Sequence, residues 1–470
     1  MLISKLSIMK KFFTYIIISG GLILGTACEK MLETDLQGAD LTEEEALQSK
    51  QDVLDLLQSC YDVTANVYNG RVQYLNELLS DNLADPTINE DLSEVYNHNT
   101  LFFNGTIGGI YQDPYITVFR ANRVLEVIED FDFSATEKEE IAAQAYFLRA
   151  LSHWELLKLF CQPYGYTADN SHDGLIYKTS TEESIVARES VASNYANIIA
   201  DFETALPNLA QSSDYYASQD AANAYLAKIY FQQGDYAKAV QHADAVINTG
   251  RYSLGNSIDR FELDTVNVSE AIFTTTSNST LRDFRSTGFT DNYRSDLDGA
   301  DPLFKANKDF YDIYAADTAD RRIKNFFEVI GEDADAVVLV KKFNQEFFDV
   351  PVLHLTDLKL LRAEALALSG GDLSIAIQDI NDVRLRAYGS NANDLAAGAS
   401  VSEVRNAARY ERRIEMFGEG DRIQQLKRRG AIGGEAIEIR NNPWDCNGMI
   451  IQFPISEQTA AFDLNPTGGC

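Results

Sequence analysis

Residues 224–252 read AYLAKIYFQQGDYAKAVQHADAVINTGRY. Ala224, Ala227 and Phe231 recur at helical spacing, and Gly234-Asp235 breaks the run. Tyr236, Val240, Ala243 and Ile247 then resume the period up to Gly250. Small residues let two helices approach closely and the Gly-Asp turn reverses the chain, which is the logic of a tetratricopeptide hairpin. A second unit follows the same plan. Leu358, Leu361, Ala365 and Leu368 lead into Gly370-Gly371-Asp372, and Leu373, Ile377 and Ile380 follow. The two units are far apart in the chain, so a helical scaffold carrying insertions is expected rather than a regular solenoid.

The surrounding sequence is helical as well. Thr42…Glu45, Thr136…Glu139 and Ser400…Glu403 have capping-box spacing, in which hydroxyl and carboxylate satisfy each other's orphan N–H groups. Pro114 is expected to open a helix running to Asp130, with Ile116, Phe119, Val124 and Val127 among its apolar positions. Residues 137–160 are apolar on more than one side (Ile141, Ala145, Leu148, Leu151, Trp154, Leu157), which suits a helix sandwiched between others. Between 251 and 352 the pattern changes. Thr, Ser, Asn, Asp and Gly cluster around short apolar pieces such as Ala271-Ile272-Phe273 and Val337-Val338-Leu339-Val340. Loops, short strands and one or two brief helices are expected there, and a loop-rich insert on a rigid scaffold is where a binding site usually sits. The fold class is therefore mainly α, a helical bundle with tetratricopeptide-like hairpins and a loop-rich insert.

The 470 residues carry 40 basic and 71 acidic side chains, a net charge of -31. Such a surface repels polyanions, which excludes nucleic acid as a main partner and disfavours adhesion to anionic lipid. With 25 Phe and 23 Tyr the chain is a folded protein, not a solvated acidic tail. At its start, Lys10 and Lys11 precede an apolar run that ends at Ala27-Cys28, the anatomy of a secretory signal over residues 1–27. The run is too short for a transmembrane helix. Met9 is a possible alternative start. Glu29 to Asp40 reads as a polar leash, and Cys60, Cys161, Cys446 and Cys470 are scattered, without zinc spacing. They are expected to be free or singly bridged, with Cys470 an exposed free thiol.

No H-E-x-x-H, P-loop, G-x-G-x-x-G or G-x-S-x-G is present. The histidines 98, 153, 172, 242 and 354 show no ligand spacing, and His153 reads as a satisfied core residue. Asp296, Asp298 and Asp301 lie near a Gly turn without EF-hand order, so a solvated loop is expected. No catalytic residue, metal or cofactor is indicated.

Several elements, in order, resemble the SusD/RagB family of Bacteroidetes nutrient-binding lipoproteins. They are YITVFRANRVL at 115–125, AQAYFLRALSHWELLKLF at 143–160 with Pro163 after it, the hairpin at 224–252, and RYERRIEMFGEGDRIQQLKRR at 409–429. Phe453-Pro454-Ile455 and Asn465-Pro466 are similar to the family's closing segment. Gly418, Gln425 and Ser456 depart from its pattern. The resemblance implies a SusD-like helical bundle with an N-terminal helical part at 41–250, a ligand-bearing insert at 251–352 and a C-terminal part at 353–470. It implies Cys28 as the lipidated residue of a leash over 28–40, with Glu29, Glu33 and Asp35 similar to an export tag. It implies oligosaccharide capture on the outer face of the outer membrane and delivery to a TonB-dependent SusC-like transporter, without catalysis.

A glycan site needs aromatic platforms with Asn, Asp and Arg at their edges. Family ligand sites draw on the stretches YNHNTLFFN (96–104) and RDFRSTGFTDNYR (282–294), which nominates Tyr96, Asn99, Phe102, Arg285, Phe289, Tyr293 and Arg294. Trp154 belongs to the core, and Trp444 is either a platform or a structural plug. Asn381, Arg384 and Arg413 read as scaffold hydrogen bonders. Alternatives are capture of peptides or glycoprotein fragments, and a tetratricopeptide-type adaptor that binds a protein partner. A surface hydrolase would need a poised acid or nucleophile that the sequence does not show.

Overall fold

A computed structural model of the chain describes residues 47–182, 186–255, 258, 260–261 and 269–470. The signal segment, Cys28, the leash and the Thr42…Glu45 box lie outside the described residues. Among the described residues no helix is long and apolar enough to cross a membrane.

The N-terminal part consists of α1 (Lys50–Val67), α2 (Arg71–Leu79), α3 (Glu90–Tyr96), α4 (Ile107–Val127), α5 (Ala135–Phe160) and α6 (Val191–Ala205). α5 packs on α4 and on α6, and Phe147 to Leu157 are buried without a break. A stretch covered on all sides needs no exposed polar face, and only the first turns of α5, around Thr136 to Glu140, are polar and open to solvent. Two local expectations shift. Proline at the first helical turn costs nothing, yet Pro114 lies inside α4, because Ile107, Ile110 and Tyr111 continue its buried face upstream. Their burial outweighs the one backbone bond the proline forfeits. The capping box of α5 is Ser134 with Glu137, two residues before Thr136…Glu139, whereas Ser400 and Glu403 do cap their helix.

The two hairpins form as read. They are α7 (Gln219–Gln233) with α8 (Tyr236–Ile247), and, after the insert, α12 (Leu355–Ser369) with α13 (Leu373–Tyr388). Gly234 (φ 81°) and Gly370 (φ 72°) end their first helices in the left-handed conformation. α8 packs on α12, so the units are neighbours in space although the insert separates them in sequence. α12 also packs on α14 (Val401–Glu415), and Leu360, Ala363, Ile380, Val383, Val404 and Ala408 fill that core. α15 (Arg422–Ala431) follows α14.

In the insert, β1 (Ala271–Thr275) pairs antiparallel with β4 (Val350–His354), and β2 (Phe327–Ile330) with β3 (Val337–Val340). Three short helices lie between them, α9 (Thr287–Tyr293), α10 (Lys308–Ala315) and α11 (Arg321–Phe326), more than the one or two expected. Phe261, Phe289, Tyr293, Phe343 and Phe348 make a local aromatic core.

A buried ion lattice ties the insert to the C-terminal helices. Glu415 on α14 accepts from Arg260 (2.7 Å), Arg386 (2.8 Å) and Arg322 (3.0 Å). Glu419 meets Lys342 (2.6 Å), His354 (3.0 Å) and Arg260. Asp421 takes Arg412, and Arg422 reaches Asp81 at 2.7 Å. The Glu-Gly-Asp-Arg stretch at 419–422 is thus a joint between distant parts of the chain. Such lattices add little net stability compared with an apolar core, but breaking one leaves uncompensated charge inside.

Cys60 and Cys161 are free and buried, but Cys446 and Cys470 form a disulfide. Cys470 is therefore not a free thiol. The closing segment folds back on the body, where Asn465 donates to the carbonyls of Phe160 (2.8 Å) and Ile451 (2.9 Å) and brings the chain end beside residue 446. His153 is a core residue as read. It is stacked on Tyr177, bonded to the Arg149 carbonyl, and accepts from the Lys178 amide. Trp154 is buried. Trp444 stands against Gly430, where an added Cβ would meet the indole at 2.5 Å, so it acts as a plug. Asn381 brackets Leu395, Arg384 pairs with Glu411, and Arg413 bonds Asn82.

Candidate functional site

The turn from α1 to α2 sets the geometry. Gly70 has φ 121°, and an added Cβ would lie 2.5 Å from the Gly288 carbonyl carbon and the Phe289 amide nitrogen. Only glycine permits that approach, and it seats the start of α9 against Asn69-Gly70. The stretch 282–294 is thereby fixed at the N-terminal end of α2. The 96–104 loop sits at the other end, where the His98 ring meets the Leu79 carbonyl at 3.0 Å. α2 has nine residues, so about 13 Å of helix separates the two.

Phe289 and Tyr293 are both 0% exposed and pack on Phe343, with Phe304 also against Tyr293. Neither ring is open to solvent, in contrast to the platform role their place in this stretch suggested. Their i, i+4 spacing on α9 is that of a helix's inward face, and their role is to anchor it. The accessible ring in this stretch is Phe284, which precedes the helix. It stacks on Phe347, centroids 4.5 Å apart and planes 1° from parallel. Both rings are half-buried, and Leu281 beside them in sequence is 75% exposed.

Arg285 is half-buried and reaches α1, donating to the Asn66 side chain (3.0 Å) and the Asp62 carbonyl (3.2 Å) while pairing with Asp283 at 2.6 Å. Arg294 turns to Asp296 at 2.7 Å, and that hydrogen bond holds the Asp296 carboxyl below its ordinary range. Burial pushes Asp349 up, although the Ser277 amide bonds it.

At the far end, Tyr96 is half-buried with the Arg440 guanidinium 4.0 Å above its ring. Asn99 is exposed, and its amide donates to the Glu94 carbonyl at 3.0 Å. Phe102 and Phe103 lie 4.2 Å apart, and Phe103 is 75% exposed. The loop runs directly into α4. There Asp113 pairs with Arg71 at 2.9 Å, and Gly109 leaves room for that guanidinium.

Two aromatic groups are thus accessible, Phe284–Phe347 on the side of the α1–α2 turn, where Asn66, Asn69 and Arg71 with its partner Asp113 also lie, and Phe102–Phe103 at the far end of α2. Aromatic faces accept the apolar C–H side of a sugar ring, and amides and paired charges accept and donate to hydroxyls. Among the described residues no group of three His, Cys, Asp or Glu side chains is arranged to hold a metal ion. Phe284, Phe347, Phe103, Asn66, Arg71 and Asp113 were not singled out from sequence. Phe103 and Phe284 lie inside the two nominated stretches. Phe347 beside Phe348 shows the one-out, one-in alternation that leads into a strand.

Comparisons with known proteins agree with this architecture. A sequence model described as "Starch-binding associating with outer membrane" matches residues 39–231, and that of the SusD family matches residues 260–443. SusD-like protein P2 of Formosa agariphila is 24% identical, covering 81% of this chain and 82% of its own. A SusD superfamily protein of Bacteroides thetaiotaomicron superposes with a TM-score of 0.75 at 21% identity, covering 89% of this chain and all of its own. A laminarin-binding SusD-like protein has a TM-score of 0.67 at 20% identity, with 89% of this chain and all of that one covered.

Proposed function

Because this chain belongs to the SusD/RagB family of outer-membrane-associated carbohydrate-binding proteins, we propose that it captures an oligosaccharide at the cell surface and passes it to a TonB-dependent SusC-like transporter, with no chemistry of its own. The observation that carries the reading is the pair of accessible aromatic groups, Phe284–Phe347 beside the polar Asn66–Arg71 turn and Phe102–Phe103 at the far end of α2. Asn99, Phe102, Phe103, Asn66, Arg71, Arg285, Phe284 and Phe347 are the contact set, with Tyr96 and Arg294 at its margins. Lipidation at Cys28 and a leash of twelve residues, with a reach of roughly 20 Å as flexible coil, would hold the body near the transporter.

The ligand is a neutral glycan. Arg71, Arg285 and Arg294 each face a carboxylate at 2.9 Å or less, and the chain carries a net charge of -31. A sulfated or uronate polymer would meet compensated cations in a repelling field.

Native gels cast with laminarin, xylan, mannan, alginate or polygalacturonate test this with the lipid-free body. Laminarin comes first because a structural neighbour binds it. Retardation by a neutral polymer is the expected result. Retardation by an anionic polymer alone would overturn the neutral assignment, and silence with all polymers and their short oligosaccharides would overturn the glycan reading.

A further inference from the structure

Six described non-glycine residues have left-handed backbone, and three of them, His98 (φ 56°), Arg440 (φ 50°) and Asn441 (φ 67°), belong to one small assembly. Arg440 and Asn441 form the two-residue turn between β5 (Glu438–Ile439) and β6 (Asn442–Pro443). Such turns favour Asn-Gly, because both positions need positive φ, so an arginine in the first place is strained. Strain of this kind persists only where the surroundings fix it, and it collects at ligand clamps.

The contacts of that arginine explain why it stays. Its guanidinium donates to the carbonyls of Leu78 (3.0 Å) and Tyr96 and lies over the Tyr96 ring. It thereby joins the end of α2 to the end of α3, where the 97–104 loop leaves. His98 is the loop's second residue, and its ring is fully buried. Burial and the neighbouring Arg440 charge push His98 down to about 4, so the ring is neutral. Its Nε2 faces both the Arg440 guanidinium (2.7 Å) and the Leu79 carbonyl (3.0 Å), and its Nδ1 faces the Asn442 amide at 3.1 Å, so both nitrogens are engaged.

The chain end closes on the same residue. A Cβ at Gly448 would lie 1.7 Å from the His98 carbonyl oxygen, and one at Gly469 would lie 2.6 Å from it and 2.9 Å from Oδ1 of Asn99. Both glycines lie within the segment that the Cys446–Cys470 disulfide closes. The Ile455 amide also donates to the Phe102 carbonyl, at 3.3 Å.

We infer that Arg440 is a positioning residue for the ligand loop: with the disulfide-closed tail it locks His98 and so aims Asn99, Phe102 and Phe103 outward. The link to ligand rests on the glycan reading above, whereas the lock itself does not. Arg440→Gly relieves the backbone strain but removes the guanidinium. Asn441→Gly relieves strain and removes none of these contacts.

Hydrogen exchange on the lipid-free chain separates the two variants. In Arg440→Gly the amides of Asn99 and Leu101, which now bond to Glu94, should exchange at least about tenfold faster, while Tm stays within about 3 °C. Laminarin retardation should weaken in the same variant, and Asn441→Gly should match the wild type in the exchange of these two amides and in retardation. Wild-type exchange in Arg440→Gly, or equal loosening in Asn441→Gly, would overturn the inference. If laminarin does not retard the wild type, exchange alone decides. If Arg440→Gly does not fold, the Cys446→Ser/Cys470→Ser pair carries the same exchange test, with faster exchange expected and unchanged exchange overturning it.

Discussion

Lys427→Met should make this protein more stable, and the gain should vanish at alkaline pH. Lys427 lies on the inner face of α15, 1% exposed, and its Nζ has no hydrogen-bond partner among the described residues. Burial drops its amine to about 7, with only the Cys161 thiol acting weakly the other way. In the unfolded chain a lysine titrates near 10.4, so folding at or below pH 7 works against about 3 pKa units, on the order of 4 kcal/mol. Methionine has similar length and no charge to desolvate, and imperfect packing should leave a gain of about 2–3 kcal/mol. The sign with pH is definite. Between pH 7 and about 10.4 the unfolded state holds the proton that the folded state lacks, so the wild type gains on the variant as pH rises. Urea unfolding of both proteins at pH 6.5 and pH 9.5 reads this directly. The variant should lead at pH 6.5 and lose most of its lead at pH 9.5. A destabilised variant, or a difference independent of pH, would refute the reasoning.

Glu415→Gln should cost about 3–5 kcal/mol in urea, because Arg260, Arg322 and Arg386 lose their shared partner inside the fold. Burial alone would raise Glu415, but Arg386, Arg322 and Arg260 outweigh it and hold it at about 2. That stability is present above the ordinary glutamate range and lost as pH falls from there towards 2, so the variant's acid unfolding should be shallower than the wild type's in a circular-dichroism titration. Gly70→Ala should cost about 2 kcal/mol or more, from a φ of 121° and the clash with Gly288, and should weaken glycan retardation by shifting α9. Unchanged melting of that variant would remove the close approach as the determinant of the site.

The hairpins were legible because their signals are local: an apolar helical period, a Gly-Asp break, and glycine where left-handed backbone is needed. The misses share a different cause. Pro114 obeyed its local rule less than the buried face of Ile107, Ile110 and Tyr111, which only tertiary packing defines. Phe289 and Tyr293 were nominated as aromatics in a ligand stretch, but their i, i+4 spacing marks a helix's inner face, and the exposed ring was Phe284. Arg71 with Asp113, and Phe284 with Phe347, are pairs 42 and 63 positions apart, brought together by folding. The Glu-Gly-Asp-Arg element stood out as a motif, yet its meaning lay in partners such as Arg260, Lys342 and Asp81, which no spacing rule connects. The Cys446–Cys470 pairing depended in the same way on how the tail returns past Asn465.

The central claim is that Phe284 and Phe347 form part of a carbohydrate-binding surface. Isothermal titration of the lipid-free chain with the neutral polysaccharide that retards it, beside the Phe284→Ala/Phe347→Ala variant, tests it most directly. Both rings are half-exposed, so the variant should melt within a few degrees of the wild type while its affinity falls at least about tenfold, as the loss of aromatic stacking demands. A variant that binds the polysaccharide as tightly as the wild type would contradict the account.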